Sequence, residues 1–292
     1  MFDFHVDATQ TVGEFLAGFF VGKKKIHELY MEGKLILNGK PVSSRQMMHG
    51  GDVLSLPIFE AEDIDFVPEY GELDIVFEDE HLLIINKPPG ILVHPDEKSK
   101  TGTLCNLVAG YYKKTGQRRR VRYIHRLDIE TSGGIIFAKH FLAHSRLDAQ
   151  LEKKEIKRTY LAFAQGKLAN KSGTIDAPIG KDRHHGARRR VAKTGDFAQT
   201  RYRLLHFVHG ISIVELSLQT GRTHQIRVHL SHIGHPLLGD RLYGGPASMK
   251  RHALHSWKIT LDHPILPKGV SVEIPVPADM ERLLAKSKKK DR

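Results

Sequence analysis

The apolar residues change their spacing near residue 35, and this change constrains the fold more than any other feature. In the first part, apolar side chains recur at intervals of three and four, as on one face of a helix: Val12, Phe15, Leu16, Phe19 and Phe20. Thr11 and Glu14 have the spacing of a capping box, which marks the start of a helix. A second short helix carries Ile26, Leu29 and Tyr30 at the same spacing. The chain is therefore predicted to begin with two helices.

Short extended segments follow these helices. The sequence GKLILNGKPV predicts a strand, a turn at Asn38-Gly39 and a second extended segment, and GGDVLSL predicts a closing strand. We expect residues 1–57 to form a small helix–helix–hairpin domain. Residues 58–72 are acidic and lack strong periodicity, which is typical of a linker.

Residues 73–280 alternate between strand-length apolar runs and helical segments. We predict strands in LDIVFEDEHLLIINK, IIFAK, KRTYLAFAQG and GISIVELSLQTG. Helices are predicted in HFLAHSRLDAQLEKKE and in HQIRVHLSHIGHP, which ends in helix-stopping Gly and Pro. This mixed order favours the α+β class, with a mixed, largely antiparallel sheet flanked by helices and loops. Residues 281–292 are predicted to be a basic tail.

The charge balance points to a polyanionic partner. The 292 residues include 45 Lys and Arg against 33 Asp and Glu, a formal net charge of +12. The basic runs are spread along the whole chain: Lys23–Lys25, Arg118–Arg120, Arg188–Arg190 and Lys288–Lys290. Nucleic acid is the commonest soluble polyanion and is therefore a candidate partner. A basic protein that is merely soluble has the same total charge, so charge alone does not decide.

The composition and motifs exclude several other classes of protein. With Cys105 as its single cysteine, the chain forms no intrachain disulfide and no thiolate metal cluster, as expected in a reducing cytoplasm. Its first residues lack the pattern of a secretory signal, and no apolar run approaches the ~20 residues of a membrane helix. No Walker-type loop or GxGxxG follows a predicted strand, so a nucleotide cofactor is not expected. We expect a soluble, cytoplasmic protein.

The sequence HRLDIETSGG, residues 125–134, is the strongest candidate for a catalytic loop. Asp128 precedes a cluster of turn-forming residues, so one interpretation is that its side chain only caps the turn. The other interpretation is catalytic, because functional groups concentrate in loops on a rigid sheet. A guanidinium such as that of Arg126 keeps a neighbouring carboxylate ionised and usable as a nucleophile.

The sequence TGRTHQIRVHLSHIGHPLLGD, residues 220–240, gathers hydrogen-bond donors at the start of a predicted helix: Arg222, His224, Gln225, Arg227 and His229. Such a cluster suits a phosphate group or a buried carboxylate. The four histidines lack HExxH spacing, and no acidic residue lies among them before Asp240, so no metal site is predicted. A solvated or RNA-facing basic helix is the simpler alternative.

Tyr160 lies on a predicted strand, with the small residues Ala162 and Ala164 on its own face. Most strand tyrosines belong to the core and have a hydrogen-bonded hydroxyl. A ring above small residues also stacks well on a nucleic-acid base. The residues alone leave both interpretations open.

These segments together closely resemble the RluA family of RNA pseudouridine synthases. The resemblance is carried by HRLDIETSGG, KRTYLA, TGRTHQIRVHL with GHPLLGD, the upstream NKPPGILVHP and the later HALHSWKITLDHP, and it covers residues 71 to about 277. It implies that uridine in RNA is isomerised to pseudouridine without a metal or organic cofactor. The segments KKKIHELYMEGKLILNGKPV and GGDVLSL resemble the RNA-binding module shared by a ribosomal small-subunit protein and tyrosyl-tRNA synthetases. The alternative for this module is a cap that only packs on its neighbour.

The resemblance also implies roles for individual residues. Asp128 matches the catalytic aspartate, which attacks either the uracil ring or the ribose anomeric carbon through a glycal-type intermediate. Arg227 matches the basic residue paired with that aspartate. Tyr160 matches a tyrosine that stacks on the uracil and assists removal of the proton from its 5-carbon, and Arg126 an arginine that enters the space left by the flipped nucleotide. The remaining candidates are His125 and Thr131 for substrate binding, and Arg222, His224, Lys23, Lys24 and Lys25 for RNA binding.

The expected substrate is structured RNA in which the target uridine is easily unstacked, as in loops and bulges. Ribosomal RNA of the large subunit is the first expectation and tRNA the second, for a monomer without an obligatory protein partner. Two alternatives remain, a non-catalytic RNA-binding or ribosome-assembly factor and a metal-dependent hydrolase. Gly134 and Ser256 depart from the family pattern, which affects packing near the site but removes no catalytic group.

Overall fold

The computed structural model describes residues 1–283. Most of the predicted basic tail, residues 284–292, lies outside the described residues. None of the helices within residues 1–283 has the length and apolar content to cross a membrane.

The first 56 residues form two helices and six short strands. The elements in chain order are β1 (Phe2–His5), β2 (Gln10–Thr11), α1 (Val12–Gly18), α2 (Lys23–Met31), β3 (Ile36–Leu37), β4 (Lys40–Pro41), β5 (Met47–Met48) and β6 (Val53–Leu56). One sheet has the order β1-β6-β3-β4, and β2 pairs with β5. The predicted hairpin is confirmed, because β3 and β4 meet around Asn38 and Gly39, both with positive φ.

Helix α1 begins as predicted but ends earlier. The capping box at Thr11 and Glu14 is present, with the Thr11 side chain accepting from the Glu14 amide at 3.2 Å. The prediction that Phe19 and Phe20 continue the helical face is wrong, because the helix ends at Gly18. Phe20 adopts a left-handed backbone with φ of 60° and leaves its ring 40% exposed. There it contacts two cations of the second part of the chain, Lys153 and Arg146.

Between residues 73 and 277 the second part of the chain contains twelve strands and three α-helices, and residues 278–283 are also helical. In chain order they are β7 (Ile75–Glu78), β8 (Leu82–Lys87), α3 (Leu104–Lys114), β9 (Arg122–Tyr123), β10 (Ser132–Ala138), α4 (Phe141–Glu152), β11 (Lys157–Gln165), β12 (Ser172–Asp176), β13 (Ile179–Lys181), β14 (Arg189–Val191), β15 (Gln199–Val208), β16 (Ile211–Leu218), α5 (Gln225–His232), β17 (Leu254–Asp262) and β18 (Gly269–Glu273). A short 3₁₀ helix, Arg241–Tyr243, follows α5.

Ten of these strands form one sheet. Its main path runs β12-β15-β16-β11-β17-β10-β8-β7, with β18 beside β17 and β9 beside β10. Within the described residues, β10 and β17 are the one parallel pair of this sheet, and the other pairs are antiparallel. The predicted α+β class with a mixed, largely antiparallel sheet is confirmed.

The sheet separates two apolar layers, as its side-chain alternation requires. Ile85 and Ile135 pack with α3 and α5 on one face, whereas Ile84 and Ile136 pack with α4 on the other. Helix α5 therefore rests on the same apolar layer as Tyr160 of β11. This layer fixes the positions of the strand that carries Tyr160 and the helix that carries Arg227.

The acidic segment 58–72 contains no helix or strand but is tied to the second part of the chain. Asp65 accepts the Val121 amide at 3.0 Å and pairs with Arg120 at 3.2 Å. The first part also contacts α4 directly, since Leu142 lies in the same buried cluster as the apolar residues of α1 and α2. The two parts thus share a packed apolar contact as well as a covalent connection.

Candidate active site

Asp128 lies in the loop of residues 124–131 that connects β9 to β10, and this loop is anchored on both sides of it. The Thr131 amide donates to the Asp128 carbonyl at 3.0 Å, and Thr131 Oγ1 lies 2.7 Å from His252 Nε2. The Ile129 carbonyl accepts hydrogen bonds from the Gly90 amide at 2.8 Å and from Lys87 Nζ at 3.0 Å. The carboxylate is therefore presented on a fixed backbone.

Lys87 is fully buried beneath this loop. Besides the Ile129 carbonyl, its ammonium donates to the carbonyls of Pro88 at 2.8 Å and Ile91 at 2.9 Å. Three carbonyls match the three N–H donors of an ammonium group. Burial lowers the pKa of Lys87 to about 7, and the charge of nearby Glu130 opposes that shift. Lys87 joins the NKPPG turn to the Asp128 loop.

Arg227 of α5 connects Asp128 to a second, buried carboxylate. Its Nη1 donates to Asp128 Oδ2 at 3.1 Å, while Nε and Nη2 donate to Asp240 at 2.8 and 2.9 Å. The Arg227 side chain is 9% exposed and that of Asp240 is 1% exposed. Burial opposes the charge of Arg227, but the hydrogen bonds and charge of Asp240, with the charge of Asp128, raise its pKa. The guanidinium is thus a permanent cation held in one orientation.

His224 lies beside the same carboxylate. The Tyr243 hydroxyl oxygen accepts a hydrogen bond from the Arg189 amide at 2.9 Å and lies 2.8 Å from His224 Nδ1. The hydroxyl proton is therefore available for a hydrogen bond to that nitrogen. His224 Nε2 then carries the ring proton and lies 3.8 Å from Asp128 Oδ2. Burial lowers the pKa of His224 despite the opposing charge of Asp128, so the imidazole is a neutral donor at neutral pH. The ring of Tyr243 also lies 5.0 Å from the Arg227 guanidinium.

Most of the predicted site residues line a single pocket around Asp128. The predicted residues in its wall are Arg126, Asp128, Thr131, Tyr160, Arg222, His224 and Arg227. Arg126 is exposed at this pocket, and its guanidinium lies 3.3 Å from Thr223 Oγ1. Tyr160 is 4% exposed, and burial raises the pKa of its hydroxyl, with the Arg158 charge opposing the rise. Its phenol is therefore neutral.

Two sets of predicted residues lie elsewhere. His125 points into a neighbouring cavity, and neither ring nitrogen has a hydrogen-bond partner among residues 1–283. Burial and the charge of Arg158 hold the pKa of His125 well below its ordinary value, and the Arg126 backbone opposes this only slightly. Lys23, Lys24 and Lys25 occupy the first turn of α2, in the other part of the chain. Lys25 there contacts Glu28 at 3.5 Å.

The sequence reasoning missed several residues that hold the site together. Asp240, Tyr243, Lys87 and His252 were not among the predicted site residues, although Asp240 ends the GHPLLGD segment. The cluster of donors at residues 222–229 was predicted to suit either a phosphate group or a buried carboxylate, and Arg227 is paired with the buried carboxylate of Asp240. The histidines of the same region are occupied otherwise, with His229 bound to Thr200 and the Ala177 carbonyl and His235 to the Gln165 carbonyl.

The chain is similar to known proteins over most of its length. The family described as RNA pseudouridylate synthase matches residues 81–232, and the RluD ribosomal pseudouridine synthase N-terminal domain matches residues 4–54. The RNA pseudouridine synthase YhcT of Bacillus subtilis is 50% identical over 89% of this chain and 87% of its own length. The ribosomal large subunit pseudouridine synthase D of Xylella fastidiosa is 36% identical over 90% of this chain and 84% of its own length.

Solved structures show the same fold. Human RNA Pseudouridylate Synthase Domain Containing 4 is similar with a TM-score of 0.61 over 73% of this chain and 92% of that chain, at 23% identity. Human RNA Pseudouridylate Synthase Domain Containing 1 has a TM-score of 0.58 over 75% of this chain and 97% of that chain, also at 23% identity.

Proposed function

We propose that Asp128 is the nucleophile of this chain, which belongs to the RNA pseudouridine synthase family. The family's reaction is an isomerisation, in which the glycosidic C–N bond of uridine breaks and a C–C bond to the same ribose carbon forms. The observation that supports Asp128 is its place in the pocket wall, hydrogen-bonded through one oxygen to a guanidinium whose orientation is set by Asp240.

The free oxygen of Asp128 is the group that reacts. Oδ2 is engaged by Arg227, whereas Oδ1 accepts no hydrogen bond from residues 1–283. The Arg227 guanidinium holds Oδ2 in place, and a carboxylate forms covalent intermediates with sugars or activated rings. The Asp128 carboxylate can serve either of two reaction routes, attack on the uracil ring or loss of uracil through a glycal-type intermediate.

Tyr160 holds the target uracil by stacking its ring on the base. Its ring lies in the pocket wall and is 4% exposed, and an aromatic ring in such a position stacks on a nucleic-acid base. Asp128 is the one carboxylate in the described pocket wall, and we propose that it takes the proton from the 5-carbon once the C–C bond has formed and its own bond to the substrate has broken.

Arg126 assists the flipping of the target nucleotide out of its stack. The target base must leave its stack to reach Asp128, at a cost of a few kcal/mol. Arg126 is exposed, next to the nucleophile and without an ion pair among the described residues, so its side chain is free to fill the space that the base leaves.

The substrate we propose is ribosomal RNA of the large subunit. Relatives covered over most of their length are named ribosomal large subunit pseudouridine synthase D, and the N-terminal part matches the corresponding N-terminal domain. The surplus of basic residues suits a polyanion of this size.

The test of this proposal uses RNA transcripts that carry tritium at the uracil 5-carbon. Isomerisation replaces the 5-hydrogen, so each turnover releases tritium into water. We expect the wild-type protein to release tritium from large-subunit ribosomal RNA but not from a tRNA pool or from small-subunit RNA. Release from tRNA alone would show that the assigned substrate is wrong, and mapping of the modified position would then identify the target.

A further inference from the structure

A second cavity adjoins the reaction pocket. It has a volume of about 420 Å³ and shares three basic residues with the pocket, Arg126, Arg158 and Arg222. His125, Leu151 and Ile156 form part of its wall, and Lys154 and Glu152 lie at the end of α4 beside it. A nucleotide next to the target uridine therefore has a concave space directly beside the pocket.

The charge of this cavity is strongly positive. Four cationic residues line it, Arg126, Lys154, Arg158 and Arg222, against the single carboxylate of Glu152. Among residues 1–283, Arg126, Lys154 and Arg158 form no ion pair, and Arg222 has only an exposed carboxylate, Asp196, at 3.8 Å. Uncompensated cations around a concave surface attract phosphate groups.

The positive surface continues from the cavity to the N-terminal part of the chain. Lys153, which precedes Lys154 and caps α4, places its ammonium 4.2 Å from the centre of the Phe20 ring. Phe20 lies three residues before Lys23, the first residue of α2, a separation of at most about 10 Å along the chain. The lysines of α2 thus begin where the basic edge of the cavity ends.

We propose that a single strand of RNA flanking the target uridine leaves the reaction pocket through the second cavity. It crosses Lys153 and Lys154 and reaches the first turn of α2. This inference rests on the proposed function, since it needs a target uridine at Asp128. A single strand fits and a duplex does not, because only an unpaired strand follows a concave surface beside a flipped base.

The test compares two matched pairs of lysines. Lys153→Gln with Lys154→Gln neutralises the proposed path at the end of α4, and Lys113→Gln with Lys114→Gln neutralises two exposed lysines at the end of α3. Binding of a fluorescein-labelled 12-nucleotide oligouridylate is measured by anisotropy at several KCl concentrations. We expect the slope of log Kd against log salt to fall by about 1.4 in the first variant, for two lost phosphate contacts on single-stranded RNA, and to stay unchanged in the second.

Equal slopes in wild type and the Lys153/Lys154 variant would overturn the proposal, and so would an equal loss of slope in both variants. The same measurement with a blunt 12-base-pair RNA duplex separates the two forms of RNA, and an equal loss there would contradict a single-stranded path. Binding of the oligouridylate requires no turnover. Absence of tritium release therefore tests the proposed function, while the salt slopes test the path.

Discussion

At the scale of single residues, the site is organised around one guanidinium with two carboxylates. Arg227 uses two donors for Asp240 and one for Asp128, so the buried pair determines where the carboxylate that we propose as the nucleophile is held. Bidentate pairs of this kind fix geometry as well as charge. Asp240 is accordingly a positioning residue, because it acts on the reaction through Arg227.

Asp240→Asn is expected to lower kcat by about tenfold or more while KM changes little, because Arg227 loses the charge that orients it toward Asp128. The protein should also lose about 3 kcal/mol of unfolding free energy, since a buried ion pair is broken. Steady-state kinetics and chemical denaturation measure both effects. Asp279→Asn is the matched control, because Asp279 forms a similar bidentate pair with buried Arg251. A comparable loss of kcat in that variant would mean that lowered stability alone explains the effect.

Buried Lys87 makes the free energy of unfolding depend on pH. Its pKa is about 7 when folded and about 10.4 in an unfolded chain, so between these values the unfolded chain binds more protons than the folded one. The contribution of Lys87 to the free energy of unfolding therefore rises with pH from about 7 to 10.4. Below about pH 7 the folded protein bears the full cost of burying the charged ammonium. We expect the free energy of unfolding of wild type, relative to Lys87→Met, to increase across that range. A pH-independent difference would show that the three carbonyls maintain an ordinary pKa.

At the scale of elements, the site depends on the close approach of β10 and β17. Gly133 has φ of 110°, and a Cβ there would lie 2.3 Å from the Ser256 carbonyl oxygen. Gly134 sits against the side chains of Ile259 and Ile274, which fill the space that a larger residue would need. The departures from the family pattern at Gly134 and Ser256 thus occur together at one strand contact.

Gly133→Ala is expected to destabilise the protein by several kcal/mol, because the left-handed backbone and the clash with Ser256 both oppose a side chain. Gly269→Ala, at the start of β18, is the control, since a Cβ there meets nothing within 4 Å. Urea denaturation of both variants gives the comparison. Equal stabilities would contradict the tight strand contact.

Some of the helices and strands could be predicted from the sequence and others could not. Capping residues and alternating apolar runs predicted α1, α4, α5 and the central strands, because those signals are local. Helix α3 was not predicted, although its buried residues Leu104, Cys105, Val108, Ala109 and Tyr112 recur at helical spacing. The motifs predicted which residues surround Asp128. The pairing of Arg227 with Asp240 and the burial of Lys87 depend on contacts between distant segments, so spacing alone did not assign them.

At the scale of the whole molecule, the N-terminal part lies against α4, and Lys154, which follows that helix closely, lines the second cavity. Residues 1–57 are proposed as an RNA-binding domain, although Leu142 shares their apolar cluster. Removing these residues would expose that cluster, so charge neutralisation is the sharper test. Replacing Lys23, Lys24 and Lys25 by Gln should raise the Kd for RNA and leave kcat on a saturating short substrate unchanged. An unchanged Kd would mean that this domain only packs against the second part of the chain.

The central claim is that Asp128 is the nucleophile, and tritium release with Asp128→Asn tests it most directly. Wild type and variant are given the same RNA with tritium at the uracil 5-carbon, after anisotropy has shown that both bind it. We predict release by the wild type and a rate at least about 10³-fold lower in Asp128→Asn, as expected when a nucleophile is removed. A variant that binds RNA and releases tritium at the wild-type rate would contradict the assignment of Asp128.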